Sequence, residues 1–296
     1  MEPAGRRGVI TQRKPEWLQK KVKQGEQTGM RQLLGELHLN TVCQQALCPN
    51  ISECFSCGQA TFLILGKNCT RQCSFCNVEK SVPLQVDQDE PVRIAEAVAR
   101  LRLSHVVITS PTRDDLPDGG SSLYAATVAV IRSVSPQTRI ELLIPDFMGD
   151  IGSLECIVAS RPDIIAHNIE TVPRLYHVRS GADYQRSLAV LQVCHFHAPD
   201  IPTKSGIMLG MGEDVEEVAQ VMRELRTVGC RYLSIGQYLA PSREHYPVQE
   251  YVRPEVFERF SEEGLKLGFT HVESGPYVRS SYHAGSYTST DVSSRT

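Results

Sequence analysis

The sequence has no long hydrophobic run and little net charge. No apolar stretch approaches the roughly 20 residues that span a bilayer. The formal charge of −3 gives no reason to expect nucleic acid or a membrane as a partner. The first residues, MEPAGRRGVITQRKPEW, contain no apolar core, so we expect no secretory signal and a cytosolic location. The length of 296 residues suits one barrel-sized domain or two smaller domains.

Cysteine is the residue that is unexpectedly abundant. The chain contains ten cysteines, and seven of them lie between Cys43 and Cys76. Disulfide frameworks are typical of small secreted domains. A long chain without an export signal favours metal binding for such a cluster. Cys156, Cys194 and Cys230 lie in apolar segments, where we expect small buried side chains.

Strand-like and helix-like patterns alternate from residue 61 onward. The strand-like runs are 61–65, 105–109, 139–144, 163–168, 205–209 and 232–236. The helical patterns are 92–103, 121–134, 183–196, 214–228 and 254–267. Six strand-like runs with helical patterns between or after them predict an α/β fold with a partial (β/α)6 barrel of the TIM type. A doubly wound open sheet is the alternative.

The polar segments of the predicted barrel follow the strands. GKNCTRQCSFC follows the first strand-like run, and TSPTRDDLPDGG follows the second. The loops after the other four runs are also rich in Gly, Pro and charged residues. The carboxyl ends of the strands carry the active site in barrels of this kind. We therefore expect the site at that face.

Extensions flank the predicted barrel, and we expect them to lie over its open mouth. We divide the chain into an N-terminal extension (1–57), a barrel (58–275) and a C-terminal tail (276–296). Segment 6–23 is strongly basic and is interpreted as either a solvated terminus or a docking surface for an acidic partner. The tail is rich in Ser and Thr, so we expect disorder after Ala284.

Six of the clustered cysteines form two regularly spaced sets. The first, C-x4-C-x5-C, comprises Cys43, Cys48 and Cys54; the second, C-x3-C-x2-C, comprises Cys69, Cys73 and Cys76. Three thiolates on one tight loop can ligate three irons of a cubic iron–sulfur cluster and leave the fourth iron open. A catalytic metal centre needs such an open position. The spacing therefore indicates cluster chemistry.

A structural zinc site is the alternative for this region. Cys54-x2-Cys57 and Cys73-x2-Cys76 are fifteen residues apart, a spacing that is typical of zinc sites. This arrangement would leave the other three clustered cysteines without a role. The cluster interpretation uses all but Cys57, so it is favoured.

The cysteine motifs resemble those of a known enzyme family. CTRQCSFC (69–76), with Phe75 before the last cysteine, resembles the motif of radical S-adenosylmethionine (SAM) enzymes. VCQQALCPNISEC resembles the second cysteine motif of lipoyl synthases. The likeness continues through KPEWL, TSPTRDDLPDGG, HNIETVPRLY, IGQYLAPSREHYPV and VRSSYHA, and covers about residues 14–284. The chain is identified as a member of the lipoyl synthase family.

The resemblance implies a radical mechanism with two [4Fe–4S] clusters. Cys69, Cys73 and Cys76 would hold the cluster that binds and reductively cleaves SAM, giving a 5′-deoxyadenosyl radical. That radical would remove hydrogen from C6 of a protein-bound octanoyl group, and a second SAM would act at C8. An auxiliary cluster would supply both sulfur atoms. Its ligands would be Cys43, Cys48, Cys54 and a serine of the RSSY motif, Ser281, with Ser280 as the alternative.

Further site residues and partners are carried over from the resemblance. SAM contacts are expected at the strand ends, from Thr109, Ser110, Asn168 and Glu170. The expected protein substrates are octanoylated lipoyl carriers, namely the glycine cleavage H protein and the E2 lipoyl domains of 2-oxoacid dehydrogenases. A ferredoxin or flavodoxin would supply electrons, and an iron–sulfur carrier protein would restore the consumed cluster.

Three departures from the family pattern keep other functions open. They are Pro111-Thr112, the stretch GGSSLY, and the additional thiol of Cys57. A lipoyl synthase paralogue with a different substrate is the nearest alternative. Another sulfur-inserting radical SAM enzyme, such as a methylthiotransferase or a biotin synthase relative, is the second. A zinc-stabilised binding protein is the third.

Overall fold

The computed structural model describes residues 13–19, 28–57 and 59–288, and these contain one eight-stranded sheet. The strands are β1 (Asn40–Thr41), β2 (Thr61–Leu63), β3 (His105–Thr109), β4 (Arg139–Leu143), β5 (Ile164–Ala166), β6 (Thr203–Leu209), β7 (Tyr232–Gln237) and β8 (His271–Gly275). They are ordered β1 to β8 across the sheet exactly as along the chain, with β1 antiparallel to β2 and every later pair parallel.

The strand order decides between the two predicted architectures. In a doubly wound sheet the order reverses at a switch point, whereas here each parallel strand lies beside the next one in sequence. Strands β2 and β3, for example, pair in register from Thr61–Val107 to Leu63–Thr109. Strands β1 and β8 are the two edges of the sheet, so the barrel is open on one side. The prediction of a partial barrel is confirmed.

Among the described residues, three α-helices precede β2, and six more follow parallel strands and cover the sheet. They are α1 (Thr28–Glu36), α2 (Val42–Gln45), α3 (Ile51–Ser56), α4 (Glu90–Leu101), α5 (Ser121–Val134), α6 (Ile151–Ala159), α7 (Tyr184–His197), α8 (Val215–Thr227) and α9 (Pro254–Lys266). Each of the five predicted helices of the barrel is present. The sequence analysis missed α6, whose apolar residues continue around the helix, and the strand β8.

The sheet is buried because side chains cover it on both faces. All six residues of β7 are buried, as are the three residues of β2 and of β5. Continuous apolar strands are typical of parallel sheets covered on both sides. Apolar residues of the helices, such as Ile94 and Val98 on α4, complete the core. The core fixes the strand ends from which the polar loops project.

Two predictions, one about burial and one about disorder, need correction. Cys194 and Cys230 are buried as predicted, but Cys156 is only half-buried because it lies at the edge of the inward face of α6. The chain is not disordered directly after Ala284, since residues Ala284–Thr288 form a 3-10 helix in which Tyr287 is fully buried. Burial of this one large aromatic side chain orders a segment whose composition is otherwise polar.

Other predictions concern segments outside the description. Most of the basic segment 6–23 lies in 1–12 and 20–27, and the end of the tail, 289–296, is likewise outside the described residues. The docking interpretation of the basic segment therefore stays a prediction. Within the described part of the chain, no helix is long and apolar enough to cross a membrane.

Candidate active site

The second cysteine set forms a tight loop at the carboxyl end of β2. The Cys69 N–H donates to Glu79 O over 2.7 Å, and the Cys76 N–H donates to Cys73 O over 3.2 Å. Two backbone N–H groups also point at sulfur atoms: that of Arg71 lies 3.4 Å from Cys69 Sγ, and that of Val78 lies 3.5 Å from Cys76 Sγ. These donors favour the thiolate form that a metal requires.

The three thiols of this loop interact electrostatically. Burial raises the pKa of Cys76 to about 12, and the neighbouring Cys73 and Cys69 add to that rise. Burial also raises the pKa of Cys73, while the Arg179 guanidinium opposes the effect. Several thiolates in so small a volume repel one another unless positive charge lies between them. The donor set therefore fits a bound iron–sulfur cluster.

Arg71, inside the cysteine loop, joins three of the loops that follow strands. Its guanidinium donates to both carboxylate oxygens of Asp114, at 2.7 and 2.9 Å, and of Asp146, at 3.0 and 2.6 Å. Arg186 also donates to Asp146, over 2.9 Å. Burial would raise the pKa of Asp146, but the hydrogen bonds and charge of Arg71 outweigh it and hold that pKa well below its usual range. The network fixes the loop that carries the cysteines.

Asn168 and Glu170, two predicted SAM contacts, lie together beside this loop. Asn168 Nδ2 donates to Glu170 Oε1 over 3.0 Å. Glu170 has a φ of 67° and interacts electrostatically with Cys73 and Cys76. Burial raises the pKa of Glu170, while Arg179 opposes the rise. Arg179 also donates to Asn168 O over 3.1 Å, so these polar groups form one connected cluster.

The other two predicted SAM contacts have hydroxyl groups that are already engaged. Thr109 Oγ1 donates to Leu143 O over 2.8 Å, and Ser110 Oγ accepts from Tyr124 Oη over 2.9 Å. Both residues lie at the carboxyl end of β3, as expected. Their side chains tie β3 to β4 and α5, and a ligand would meet mainly the O–H group and the remaining lone pair of Ser110.

The first cysteine set lines a cavity of about 180 Å³ at the open side of the sheet. Cys43, Cys48 and Cys54 share this cavity with the exposed Cys57 and with Ser281. Burial raises the pKa of Cys43, and the nearby Cys48 adds to that rise. The cavity extends toward Thr61 and His105, the first residues of β2 and β3. It is therefore separate from the loop that carries the second set.

Residues 276–283 bring the RSSY motif to the cavity across the gap in the sheet. Asn50 Nδ2 donates to Tyr277 O over 2.7 Å, and Tyr282 Oη donates to Glu53 Oε1 over 3.1 Å. Ser281 lines the cavity, whereas Ser280 Oγ accepts from Asn168 Nδ2 over 2.6 Å on the barrel side. The two serines therefore face different surroundings. Burial lowers the pKa of Arg279, and the Cys48 thiol partly offsets this.

The ligand spacing bears on the kind of metal centre. Within residues 13–19, 28–57 and 59–288, no group of three or more His, Cys, Asp or Glu side chains has the spacing of a site for a single metal ion. A mononuclear zinc site needs four donors within about 2.3 Å of one atom. In a cubic cluster each cysteine ligates a different iron, so its sulfurs lie further apart. Among the described residues, neither cysteine set is therefore arranged as a site for a single zinc ion.

Several residues of the site carry no signal in the sequence. The Arg71–Asp146–Arg186 network joins positions that are 75 and 40 residues apart. His245 Nε2 lies 3.2 Å from Cys76 O, across 169 positions. In the sequence, only one feature indicated these residues, which is that most of them lie in polar loops after predicted strands. The order of the strands, once known, brings those loops to one face.

Comparison with known proteins defines the class. A family model described as the Radical SAM superfamily matches residues 63–225, more than half of the chain. Solved structures of methylornithine synthase (PylB) and of the hydrogenase maturase HydG superpose with TM-scores of 0.54 each. Their sequence identities are 16% and 12%; the matches cover 70% and 71% of this chain but only 61% and 49% of those chains. The chain has the radical SAM fold and belongs to that superfamily.

Closer relatives give the family. A lipoyl synthase from Trichlorobacter lovleyi is 68% identical over 93% of this chain and 99% of its own length. Lipoyl synthases from Geotalea uraniireducens and Caldicellulosiruptor saccharolyticus are 66% and 54% identical over the same share of the chain, and cover 97% and 98% of those proteins. The chain belongs to the lipoyl synthase family.

Family membership decides the main functional prediction. The chain is a radical SAM sulfurtransferase that uses a [4Fe–4S] cluster and SAM to build a protein-bound lipoyl group from an octanoyl group. The prediction of this function is confirmed. The alternatives of a paralogue with another substrate, another sulfur-inserting enzyme and a zinc-stabilised binding protein are not favoured.

Proposed function

We propose that the two cysteine sets hold two [4Fe–4S] clusters with different tasks. Cys69, Cys73 and Cys76 would hold the first, and Cys43, Cys48, Cys54 and Ser281 the second. When bound, the first cluster with SAM supplies a 5′-deoxyadenosyl radical, and the second supplies sulfide. The observation that carries the proposal is the cavity in which three cysteines and Ser281 meet, on the open side of a barrel whose carboxyl end carries the other three cysteines.

The residues around the second cysteine set would orient SAM. Three cysteine ligands leave one iron open, which suits chelation by the amino and carboxylate groups of SAM. Glu170 and Asn168 lie beside the thiols and offer an anion and an amide to a cationic, polar ligand. Arg179 provides the complementary charge for a carboxylate. Thr109 and Ser110 would contribute at the end of β3.

Ser281 would be the ligand that makes the auxiliary cluster expendable. Ser281 lines the cavity with the three cysteines. A hard oxygen donor holds iron less firmly than a thiolate does. Ser281 would therefore leave first when the cluster gives up sulfide. We propose Ser281 rather than Ser280, because Ser280 is engaged with Asn168.

The proposed macromolecular partners follow from the substrate. The octanoyl chain would be attached to a lysine of the glycine cleavage H protein or of an E2 lipoyl domain. A ferredoxin or flavodoxin would deliver electrons, and an iron–sulfur carrier would rebuild the auxiliary cluster. Neither nucleic acid nor a membrane is proposed as a partner, and the proposed location is the cytosol.

Metal analysis tests the two-cluster proposal directly. Protein purified without oxygen should contain about eight iron atoms and eight acid-labile sulfides per chain. Replacement of Cys69, Cys73 and Cys76 by Ala should leave about four of each, and so should replacement of Cys43, Cys48 and Cys54. A wild-type content of about four, or bound zinc, would refute the proposal.

An activity assay assigns the tasks. With SAM, a strong reductant and an octanoyl-lysine peptide, the wild-type product should gain two sulfur atoms by mass spectrometry. Ser281→Ala should still form 5′-deoxyadenosine but insert about a hundredfold less sulfur, because the auxiliary cluster is mispositioned. Ser133→Ala, which removes an exposed serine hydroxyl on α5, is the matched control and should keep sulfur insertion. Normal insertion by Ser281→Ala would show that the ligand is misassigned.

A further inference from the structure

The segment after Ser281 continues from the cavity lined by the first cysteine set into the amino end of the barrel. Ala284 and Gly285 line the cavity together with Ser281. The 3-10 helix Ala284–Thr288 follows at once, and its Tyr287 is fully buried. The segment therefore runs from the proposed cluster ligand to a buried aromatic side chain within six residues.

Tyr287 packs against the first residues of two strands. Its ring centroid lies 5.5 Å from that of Tyr232, which begins β7, and 4.5 Å from that of His271, which begins β8. The buried rings of Tyr232 and Tyr287 and the half-buried ring of His271 form a small cluster that includes one edge strand of the open sheet. Tyr287 thus closes the barrel at the end opposite the second cysteine set.

A buried ion pair lies under the Tyr287 ring. Lys204 Nζ lies 3.9 Å from the ring centroid, within cation–π range. The same ammonium donates to Glu141 Oε1 over 2.9 Å and to Oε2 over 3.2 Å, and His105 Nε2 lies 3.5 Å from Glu141 Oε2. The side chains of Lys204 and Glu141 are 1% and 0% exposed. A desolvated ammonium strengthens its attraction to an aromatic face, so the position of Tyr287 is strongly specified.

Ser281 is consequently held from both directions along the chain. On its amino side, Ser280 is bound by Asn168. On its carboxyl side, Tyr282 is bound by Glu53, on the helix that carries Cys54, and Tyr287 is inserted in the barrel. None of these contacts uses the Ser281 hydroxyl itself. They fix the backbone around Ser281, which lines the cavity.

We propose that Tyr287 is a latch that positions Ser281 at the auxiliary cluster. It is a positioning residue, because it acts through the backbone of residues 281–287 and does not line the cavity. The inference rests on the proposed role of Ser281. Its consequence is that Ser281 can release iron without leaving the site, since the inserted ring keeps the segment within reach for the next cluster.

Hydrogen exchange tests the latch without any dependence on catalysis. In the full-length Tyr287→Ala variant, backbone amides of the peptide covering 279–288 should exchange about tenfold faster than in the wild type. Tyr287→Phe keeps the ring over Lys204 and should restore slow exchange. Tyr184→Ala is the matched control, since Tyr184 is another buried tyrosine, with its hydroxyl bound to Glu224 and its ring against Tyr176. It should leave exchange in this peptide unchanged.

Spectroscopy of the auxiliary cluster supplies the second readout. In a background with Cys69, Cys73 and Cys76 replaced by Ala, Mössbauer and electron paramagnetic resonance spectra report only the auxiliary cluster. Tyr287→Ala should give the spectrum of Ser281→Ala, whereas Tyr287→Phe and Tyr184→Ala should give that of the unmodified background. In the complete enzyme, Tyr287→Ala should retain SAM cleavage and insert about a hundredfold less sulfur.

The outcomes separate the latch from the assignments beneath it. If Ser281→Ala changes the spectrum and Tyr287→Ala does not, Ser281 is a ligand and the latch is refuted. If Ser281→Ala leaves the spectrum unchanged, the ligand assignment fails first. Unchanged exchange of the 279–288 peptide in Tyr287→Ala also overturns the proposal, because the segment would then be held by something other than Tyr287.

Discussion

At the scale of single residues, the site depends on buried charged side chains that form ion pairs with one another. Arg71 is a buried residue of the cysteine loop, and the Asp146 carboxylate that it binds is fully buried. A buried charge is tolerated only when its partners have good geometry. A planar guanidinium can bind two carboxylates through pairs of parallel bonds, and an ammonium cannot. This residue therefore allows little substitution.

Replacement of Arg71 by Lys should destabilise the protein although the charge is kept. Lysine cannot reproduce the four hydrogen bonds to Asp114 and Asp146, so we expect a loss of about 2 kcal/mol in the free energy of unfolding, measured by urea denaturation. Incorporation of iron at Cys69, Cys73 and Cys76 should fall as well. Arg223→Lys is the control, since Arg223 and Glu216 form an exposed pair, and should cost under about 0.5 kcal/mol. Equal effects of the two variants would contradict the argument.

At the scale of secondary-structure elements, strand ends and helix starts are joined by buried polar contacts. Glu90 begins α4 and is only 4% exposed. Its Oε2 accepts from the Leu65 N–H, just beyond β2, over 2.7 Å. Burial raises the pKa of Glu90 to about 7, although the Leu65 hydrogen bond opposes the rise. The contact holds the start of the cysteine loop, and it makes this junction sensitive to pH.

The Glu90 junction should give the protein a stability that falls with rising pH. Because the folded-state pKa lies above the unfolded value of about 4.3, the folded protein binds more protons in between, and stability falls as pH rises from about 4.3 to about 7. Glu90→Gln should remove this pH dependence. At pH 8 its free energy of unfolding should exceed that of the wild type by about 2 kcal/mol. Urea midpoints at pH 5 and pH 8 measure it. The exposed Glu96→Gln variant on the same helix should keep the wild-type pH dependence.

The glycines of β7 and β8 should differ in their tolerance of a side chain. A Cβ at Gly236, on β7, would lie 2.1 Å from Val278 O, a backbone atom. Gly236→Ala should therefore push the segment carrying Ser281 outward, reducing sulfur insertion by about tenfold or more while SAM cleavage persists. A Cβ at Gly275, on β8, would meet only Val278 Cγ2 at 3.5 Å. Gly275→Ala should be close to wild type in the octanoyl-peptide assay, and equal losses in both variants would argue against this explanation.

At the scale of the whole molecule, side-chain hydrogen bonds cross the gap that strand pairing would close in a complete barrel. The sheet ends at β1 on one side and β8 on the other. Asn50 and Glu53, from the N-terminal extension, reach Tyr277 and Tyr282, beyond β8. One bond lies just before the RSSY motif, and the other is made by its last residue, Tyr282. The gap in the sheet is thereby turned into a cavity wall.

Loss of one such bond should affect the auxiliary cluster selectively. Asn50 is 1% exposed, so Asn50→Ala leaves a backbone carbonyl without this donor and should cost about 1–2 kcal/mol. Iron and labile sulfide should fall from about eight toward about four per chain. Thr127→Ala removes a buried hydroxyl bound to Leu123 O within α5 and should lower stability at full iron content. A full complement of iron in Asn50→Ala would contradict the proposed closure.

Sequence reasoning succeeded where local pattern and spatial arrangement coincide. The cysteine loop and the pair Asn168 and Glu170 follow apolar runs, so their place at strand ends was predictable. Strand β8 was not, because only Val272 of its five residues is buried. The Arg71 network joins distant loops, which no spacing records. Tyr287 was missed because one buried ring, not the composition of the tail, decides its structure.

The closure of the cavity also constrains how the enzyme is assembled in the cell. Glu53 and Tyr282 are 229 positions apart. At 5–20 residues per second, a ribosome would need roughly 10 to 45 s to make the intervening chain. During that interval the N-terminal thiols are already synthesised while the opposite wall does not yet exist. The proposed auxiliary cluster would therefore be fully enclosed only after the nascent chain has left the ribosome.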